Sequence, residues 1–259
     1  MIIAQISDLH LGPQFVESAY QQAVKEILEL SPDLLVVTGD LTENGVLREY
    51  RAAAEALAKL DRFPMLIVPG NHDYRSTGYL IYKELFRTRQ VLTMDETLIL
   101  TVSTARPDRD EGEVGHRQNL WLEQTLKRHK GFFKVVVMHH HLVQVPDTGT
   151  DRITILDAGD VLKSLVLGGA DLVLCGHRHR PWLWRINGLT IVHAGTTSSE
   201  RTRGFFANTY NIIEIGEGER RVRPWLKVIG GKRIELTKVI RESKAFLPGL
   251  SDIRIGDRK

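Results

Sequence analysis

Several short apolar runs in this chain end in phrases built from Asp, His, Asn and Gly. The runs are, in order, MIIAQIS, DLLVVT, PMLIVP, KVVVM and DLVLC. Runs of this length, rich in Ile, Leu and Val and bounded by Gly, Pro or Asp, are typical of strands buried in an α/β sheet. Open α/β sheets bind ligands at the carboxyl ends of their strands. The sequence therefore predicts one site at one edge of a sheet, to which five strands deliver polar side chains.

The polar phrases differ in how specific they are. They are Asp8-Leu9-His10, Gly39-Asp40, Gly70-Asn71-His72-Asp73, Met138-His139-His140-His141 and Gly176-His177-Arg178-His179. Alone, the first is a common hydrogen-bonded pair, the second suits a helix N-cap, and the third suits a polar turn. The last is the most specific, because two histidines two residues apart after a buried strand suit a metal better than a core.

Composition narrows the class of protein. The chain has 259 residues, 42% of them hydrophobic and 26% charged, with a net charge of +3, which is ordinary for one globular domain or two small ones. No block of like charges predicts specific nucleic-acid binding. The single cysteine, Cys175, excludes an internal disulfide and is expected to be buried. No signal peptide or apolar run of ~20 residues is visible, so we expect a cytoplasmic protein without a membrane span.

Helical spacing of apolar residues alternates with the strand-like runs, which favours a parallel sheet with right-handed crossovers. The predicted helices cover residues 16–30, 46–60, 79–86, 118–129 and 157–167. The polar segment 104–115 is predicted to be an exposed loop. After Trp182, alternating apolar and polar residues predict antiparallel strands.

The five phrases, in this order, resemble the calcineurin-like metallophosphoesterase superfamily, whose pattern is D-x-H, G-D, G-N-H-[DE], H and G-H-x-H. The match extends from residue 8 to residue 179. It implies an α/β (α+β) fold, a four-layer αββα sandwich of two mixed β-sheets flanked by helices. We expect this domain to cover residues 1–235. Residues 236–259 are expected to be a C-terminal extension or edge element.

The resemblance also implies two metal ions and assigns their ligands. Asp8, His10 and His179 would hold one ion, Asn71, His139 and His177 the other, and Asp40 would bridge them. His139 is chosen from its triplet because the family ligand directly follows the strand. His141 stands where relatives often have proline. His140 and His141 are thus either contacts of the ligands or substrate, or ordinary polar loop residues, and we favour the second interpretation for His141.

The chemistry of such a centre agrees with these assignments. Two divalent ions ~3.5–4 Å apart polarise phosphate oxygens and generate a bridging hydroxide near neutral pH, which would attack phosphorus in line with the leaving oxygen. Mixed nitrogen and oxygen ligands suit Mn, Fe, Zn, Co or Ni. His72 is not needed as a ligand and can protonate the leaving alkoxide. Asp73 is expected to orient the His72 imidazole or raise its pKa, so the predicted catalytic residues are His72, Asn71 and Asp73.

The predicted function is a dinuclear, metal-dependent phosphoesterase that hydrolyses small phosphodiesters such as cyclic nucleotides or glycerophosphodiesters. Two features resemble the bacterial class III phosphodiesterases that act on these substrates: His139-His140 after the strand, and the polar loop that ends at Gly115 before Gln118-x-x-Trp121-Leu122. A homodimer is also implied, since relatives of this layout often dimerise.

Two alternatives use the same residues. One is a phosphomonoesterase or phosphoprotein phosphatase with the same site. The other is a non-catalytic, metal-binding interaction module, in which we would expect a lost ligand or a missing acid histidine. All the motif positions are present in this chain, which favours an enzyme.

Overall fold

The computed structural model describes residues 1–148, 154–203, 207–216 and 220–241. Within these ranges the chain forms two six-stranded sheets. The strands are β1 (Ile2–Ile6), β2 (Leu34–Val37), β3 (Met65–Ile67), β4 (Val91–Met94), β5 (Thr97–Thr101), β6 (Phe133–Val137), β7 (Leu172–Cys175), β8 (Trp182–Ile186), β9 (Leu189–His193), β10 (Thr209–Ile215), β11 (Val222–Val228) and β12 (Arg233–Glu235). The helices are α1 (Glu17–Leu30), α2 (Leu47–Ala58), α3 (Gly78–Leu85), α4 (His116–Arg128), α5 (Ala158–Gly168) and α6 (Leu236–Arg241).

Both sheets are mixed. The first has the order β12-β11-β10-β1-β2-β3, in which β1, β2 and β3 are parallel and the other three strands are joined antiparallel. The second has the order β4-β5-β6-β7-β9-β8, with a parallel centre and antiparallel strands at both edges.

Alternation along the strands explains the layers, because successive side chains point to opposite faces. Val36 of the first sheet and Val135 of the second lie in the core between the sheets. Their neighbours point outward: Val37 packs with residues of α1 and α2, and Val136 with residues of α4 and α5. The order is therefore helices, sheet, sheet, helices, which confirms the predicted four-layer sandwich.

Two expectations about the sheets were wrong in detail. The strands before the polar phrases belong to both sheets, β1, β2 and β3 to the first and β6 and β7 to the second, so the site is built across the sandwich rather than along one sheet. In addition, β9 is antiparallel to β8 but parallel to β7. Local alternation shows that a segment is a strand, whereas its partner is chosen by the tertiary fold.

The C-terminal part of the described chain packs on the same core. Helix α6 begins directly after the predicted boundary at residue 235, and its Leu236 and Val239 are buried in the core between the sheets. The division at residue 235 stays a prediction, and residues 242–259 lie outside the described ranges. Cys175 is fully buried, as predicted. Across the residues described, every helix is too short or too polar to cross a bilayer.

Candidate metal centre and active site

The seven predicted metal ligands lie together at one end of the sandwich. Ligand atoms of four of them fall within 4.8 Å of one another: Asp8, His10, Asp40 and His179. We call Asp8, His10 and His179 the carboxylate half of the centre.

The remaining three ligands form a second group, which we call the imidazole half: Asn71, His139 and His177. Asn71 Oδ1 lies 3.0 Å from His177 Nδ1 and 3.2 Å from His139 Nε2. Asp40 lies between the halves, because its Oδ2 is 3.6 Å from His10 Nε2 and 3.4 Å from His139 Nε2. Asp40 is therefore within reach of both groups, and the bridging role that the resemblance implies for it stays a prediction.

The backbone at these ligands is strained. Asp8 and His10 lie beyond the end of β1 at Ile6, so strand alternation does not set the direction of their side chains. Five ligands have φ between 51° and 73°, in the left-handed region: Asp8, His10, Asp40, His177 and His179. Side chains rarely adopt this conformation, and it concentrates at functional sites. The sharp turns after the strands therefore aim these side chains at one another.

Two glycines allow the turns to approach each other. A Cβ atom at Gly70 would lie 2.0 Å from Asp40 Oδ1, and one at Gly176 would lie 2.1 Å from Ser7 Oγ and 2.8 Å from Asp8 Oδ2. Gly176 also lets the His177 amide donate to both Asp8 oxygens at 3.1 Å. These glycines are therefore needed for close contact between the loops that carry the ligands.

Three imidazole rings are fixed by their outer nitrogen. His139 Nδ1 donates to the carbonyl of Thr38 at 2.6 Å, and His179 Nδ1 donates to the carbonyl of Arg201 at 2.5 Å. His10 Nδ1 lies 2.9 Å from Glu43 Oε2. The two hydrogen bonds set the tautomers of His139 and His179, and the nearby Glu43 carboxylate favours a proton on His10 Nδ1, so each ring turns its Nε2 lone pair toward the centre.

As a result, acceptors face acceptors in both halves. His10 Nε2 and His179 Nε2 are 3.0 Å apart. In the imidazole half, Asn71 Nδ2 donates to Asp110 Oδ1 at 3.1 Å, which turns Asn71 Oδ1 inward to His139 and His177. Lone pairs at these distances repel unless a proton or a cation lies among them. The donor set therefore fits two cations, one in each half.

In the metal-free protein, the carboxylates and imidazoles of the centre shift one another's pKa values. Burial alone would raise the pKa of Asp40, but the charges of His139 and His72 hold it well below its ordinary value. Burial alone would lower the pKa of His139, but Asp40 and Asp8 raise it to about 9. In the metal-free site a proton on His139 thus balances the carboxylates, and metal binding would have to displace it.

His72 lies beside the centre. Its amide donates to Asp40 Oδ1 at 2.9 Å, and its ring packs edge-on against His10 with centroids 4.6 Å apart. Its Nδ1 donates to the carbonyl of Glu43 at 2.8 Å, while Nε2 accepts from Arg75 Nη2 at 3.2 Å. The ring is therefore held at Nδ1, and Nε2 becomes available to a reacting group when Arg75 Nη2 releases it.

We expected Asp73 to contact the His72 imidazole, but its carboxylate binds elsewhere. Its Oδ1 accepts from the amide of Thr42 at 2.9 Å and from the Thr42 hydroxyl at 3.0 Å, and its Oδ2 accepts from the Gly70 amide at 2.8 Å. Burial, together with the Asp40 charge, raises the pKa of Asp73 to about 6. Asp73 thus joins the two loops that carry Asp40 and Asn71, because its side chain points into the protein rather than along the turn.

Glu43 occupies the place expected for Asp73, and the sequence reasoning missed it. Its carboxylate contacts His10 at 2.9 Å and His72 at 3.6 Å. Burial would raise its pKa, but the close contact with His10 and the charges of His72 and Arg201 lower it to about 2. The only signal in the sequence was an acidic residue three positions after Asp40, which also suits a solvated loop.

His140 and His141 are buried. His140 Nδ1 and the Thr104 hydroxyl are 2.8 Å apart, and His140 Nε2 donates to the carbonyl of Asp110 at 3.0 Å. His141 stacks on His177 with centroids 5.4 Å apart and an interplanar angle of 20°. The interpretation of His141 as an ordinary loop residue is wrong, because it is fully buried behind a candidate ligand. Through Thr104 and Asp110, the predicted exposed loop 104–115 also reaches the site.

Comparisons with known proteins agree with this geometry. A family model described as calcineurin-like phosphoesterase matches residues 1–181. A probable glycerophosphodiester phosphodiesterase of Arcobacter nitrofigilis is 26% identical over 221 residues, 77% of this chain and 80% of that protein. The 3',5'-cyclic adenosine monophosphate phosphodiesterase of Escherichia coli K12 is 27% identical over 191 residues, 69% of each chain. The structure of a dimetal phosphatase from Danio rerio has a similar fold, with a TM-score of 0.68 at 13% identity over 91% of this chain and 98% of that one.

Proposed function

Because the chain belongs to the calcineurin-like phosphoesterase family and is a metal-dependent phosphoric ester hydrolase, we propose that it hydrolyses phosphodiester bonds in small substrates. One observation carries the proposal: two groups of inward-facing acceptors share Asp40, and a histidine that is not needed as a ligand lies beside them. The names of the two relatives above, a glycerophosphodiester and a cyclic-nucleotide phosphodiesterase, support the diester class.

The carboxylate half and the imidazole half would each hold one divalent ion, with Asp40 between them. Nitrogen and oxygen donors in this mixture suit Mn, Fe, Zn, Co or Ni. When bound, such ions polarise the phosphate oxygens and lower the pKa of water to near neutrality. Asn71 serves the imidazole half through Oδ1, because Asp110 holds its Nδ2.

His72 would supply the proton that the leaving oxygen needs. Its Nδ1 is bonded to the Glu43 carbonyl, so a protonated ring would carry its second N–H at Nε2, and Arg75 Nη2 would have to turn away from that nitrogen. Asp40 fixes the same residue through its amide, which places the acid at a constant distance from the centre. Asp73 would not contact the substrate. It would position Asp40 and Asn71 by holding their loops together.

The first experiment compares bis(p-nitrophenyl) phosphate with p-nitrophenyl phosphate after metal has been stripped and Mn restored. Rapid, Mn-dependent cleavage of the diester supports the proposal and leads to a screen of cyclic nucleotides and glycerophosphodiesters. A preference for the monoester would identify a phosphatase instead. Tight metal binding without turnover of either compound would favour the non-catalytic interaction module.

A further inference from the structure

Two arginines from distant segments meet at one carboxylate beside the candidate metal centre. Arg201 Nη2 lies 2.9 Å from Glu43 Oε1. Arg75 Nη1 lies 3.7 Å from the same oxygen and donates to the Glu43 carbonyl at 2.9 Å. Arg75 follows the short 3₁₀ turn that carries His72, whereas Arg201 follows strand β9 by eight residues. The fold alone therefore brings these two cations together.

Both guanidinium groups are held by Glu43, and both side chains remain partly exposed, although Arg75 Nη2 also donates to His72 Nε2. The Glu43 side chain is only 8% exposed, but those of Arg75 and Arg201 are 34% and 39% exposed. Long surface side chains lose conformational freedom when they bind a ligand. Because Glu43 already holds both heads, an anion that bound there would lose less affinity to this cost.

The charges around this position are not matched. Glu43 offers a single carboxylate, yet it faces two guanidinium groups. Arg75 has a second carboxylate, Asp110, at 3.8 Å, but that side chain is 62% exposed and screened by water. For Arg201, Glu43 is the only acidic partner among the residues that the structure describes, and its Nε and Nη1 have no acceptor there.

The position is adjacent to the reacting groups. Arg75 Nη2 is 3.2 Å from His72 Nε2, and the Arg201 carbonyl accepts from His179 Nδ1 at 2.5 Å. Arginine forks suit phosphate oxygens, which they bind with two parallel hydrogen bonds. We propose that Arg75 and Arg201 form an anion subsite that binds a second phosphate group of the substrate, next to the phosphodiester that is cleaved.

This inference rests on the proposed function and makes its substrate class more specific. A cyclic nucleotide or a glycerophosphodiester with a neutral leaving group has a single phosphate and leaves the subsite without an anion. The preferred substrate would instead be a small phosphodiester that carries a second, terminal phosphate a few bonds away.

A matched pair of chromogenic substrates tests the subsite. Thymidine 5'-(p-nitrophenyl phosphate) has one phosphodiester, and its 3'-phosphorylated form has the same diester with one additional phosphate. We expect kcat/KM of the Mn-loaded enzyme to be about tenfold higher for the 3'-phosphorylated form, the effect of one charge-assisted contact. In Arg75→Met and Arg201→Met the ratio of the two values should fall toward one. Arg→Lys variants should give intermediate ratios, because they keep the charge and lose the fork.

The control is Arg223→Met. Arg223 is 53% exposed and lies 3.9 Å from Glu214, near the start of β1 and thus at the opposite end of the sandwich. Its ratio should equal that of the wild type. Because Arg75 contacts His72, its variants can also lose kcat on both substrates, and so the ratio is the deciding quantity.

If the arginine variants lost kcat/KM equally on both substrates, the inference would be overturned, because the arginines would then bind the scissile phosphate itself. A wild-type ratio of one would overturn it as well. If neither compound is hydrolysed, the phosphodiesterase proposal fails, and calorimetry decides the subsite separately. Thymidine 3',5'-bisphosphate should then bind the Mn-loaded wild type about tenfold more tightly than thymidine 5'-phosphate, and the Arg→Met variants should lose this difference. Equal affinities in the wild type would refute the subsite.

Discussion

The two halves of the candidate metal centre are built from different chemistry. The carboxylate half contains the buried Asp8 carboxylate, and the Glu43 carboxylate contacts the outer nitrogen of His10. The imidazole half has an amide and two imidazole rings, and its own ligands carry no carboxylate. Buried histidines surround it: His140, His141 and, behind them, His193. Both halves share Asp40.

Because of this difference, we expect the two halves to bind cations with unequal affinity. Coulomb attraction is strong where water is excluded, and a divalent ion in the carboxylate half faces two carboxylates, Asp8 and Asp40. An ion in the imidazole half faces only Asp40. We therefore expect a tight ion in the first half and an exchangeable one in the second, with Asp40 necessary for both.

The largest effect is expected for Asp40→Asn. Since Asp40 is the one carboxylate that both halves share, the variant should lose both ions and nearly all diester hydrolysis. The loss should be on the order of 10⁶-fold, the lower end of typical enzymatic accelerations. Ion counting and the p-nitrophenyl assay measure the two quantities, with the exposed Asp61→Asn as control. Retention of both ions in Asp40→Asn would show that the halves do not depend on a shared carboxylate.

The next effect separates metal binding from acid catalysis. His72→Asn should lower kcat by about 10²–10⁴-fold, the usual contribution of a general acid, while both ions stay bound, because His72 belongs to neither half. His116→Asn, at the exposed start of α4, should change neither quantity. Loss of an ion from His72→Asn, or full turnover, would remove His72 from its assigned role.

Stepwise removal of metal tests the inequality directly. Dialysis against a chelator of rising strength should release one ion early and the second late. Asn71→Ala should abolish the early ion and leave the late one, since removal of a ligand costs at least the 10–100-fold in affinity that loss of an outer partner costs. His10→Ala should instead remove the late ion. If Asn71→Ala weakens the tightly held ion and spares the other, the order of the halves is reversed.

The smallest effect concerns the histidines behind the imidazole half. Burial, together with the charge of neighbouring His141, lowers the pKa of His193 to about 3, so His193 is neutral in the folded protein. The unfolded chain takes up the proton near pH 6.5, and stability should thus be lost as pH falls from 6.5 toward 3. At pH 5 the loss amounts to about 2 kcal/mol.

His193→Phe should remove this loss, because the ring is fully buried and its two nitrogens have no hydrogen-bond partner among the described residues. Urea unfolding of the metal-free protein at pH 7.5 and pH 5 measures the difference from the wild type. The exposed His116→Phe provides the control. An unchanged pH dependence in His193→Phe would show that His193 is not kept neutral by the fold.

Much of the fold followed from local patterns. Apolar runs and helical spacing predicted the strands before the site and helices α1 to α5 to within three residues of their bounds, because periodic burial leaves its mark on each element. The division of the strands between two sheets was not visible from the runs themselves. A strand buried on both faces has the same composition in either sheet.

The candidate ligands show what the sequence by itself determined. Asp8, His10, Asp40, Asn71, His139, His177 and His179 were all assigned from the resemblance of the strand-end phrases to the family pattern, and the structure brings them within contact of one another. Each is fixed by the residue type and by a strand or turn directly before it, and both are local properties of the chain.

Only the tertiary structure decided which groups surround those ligands. Glu43 rather than Asp73 lies at the His72 ring, Asp110 turns the Asn71 amide, and Arg75 meets Arg201 beside the site. These contacts join residues 29 to 158 positions apart, and the same residue types are ordinary on a solvated loop. A long-range contact between polar side chains depends on how the loops pack across the two sheets, which no local pattern records.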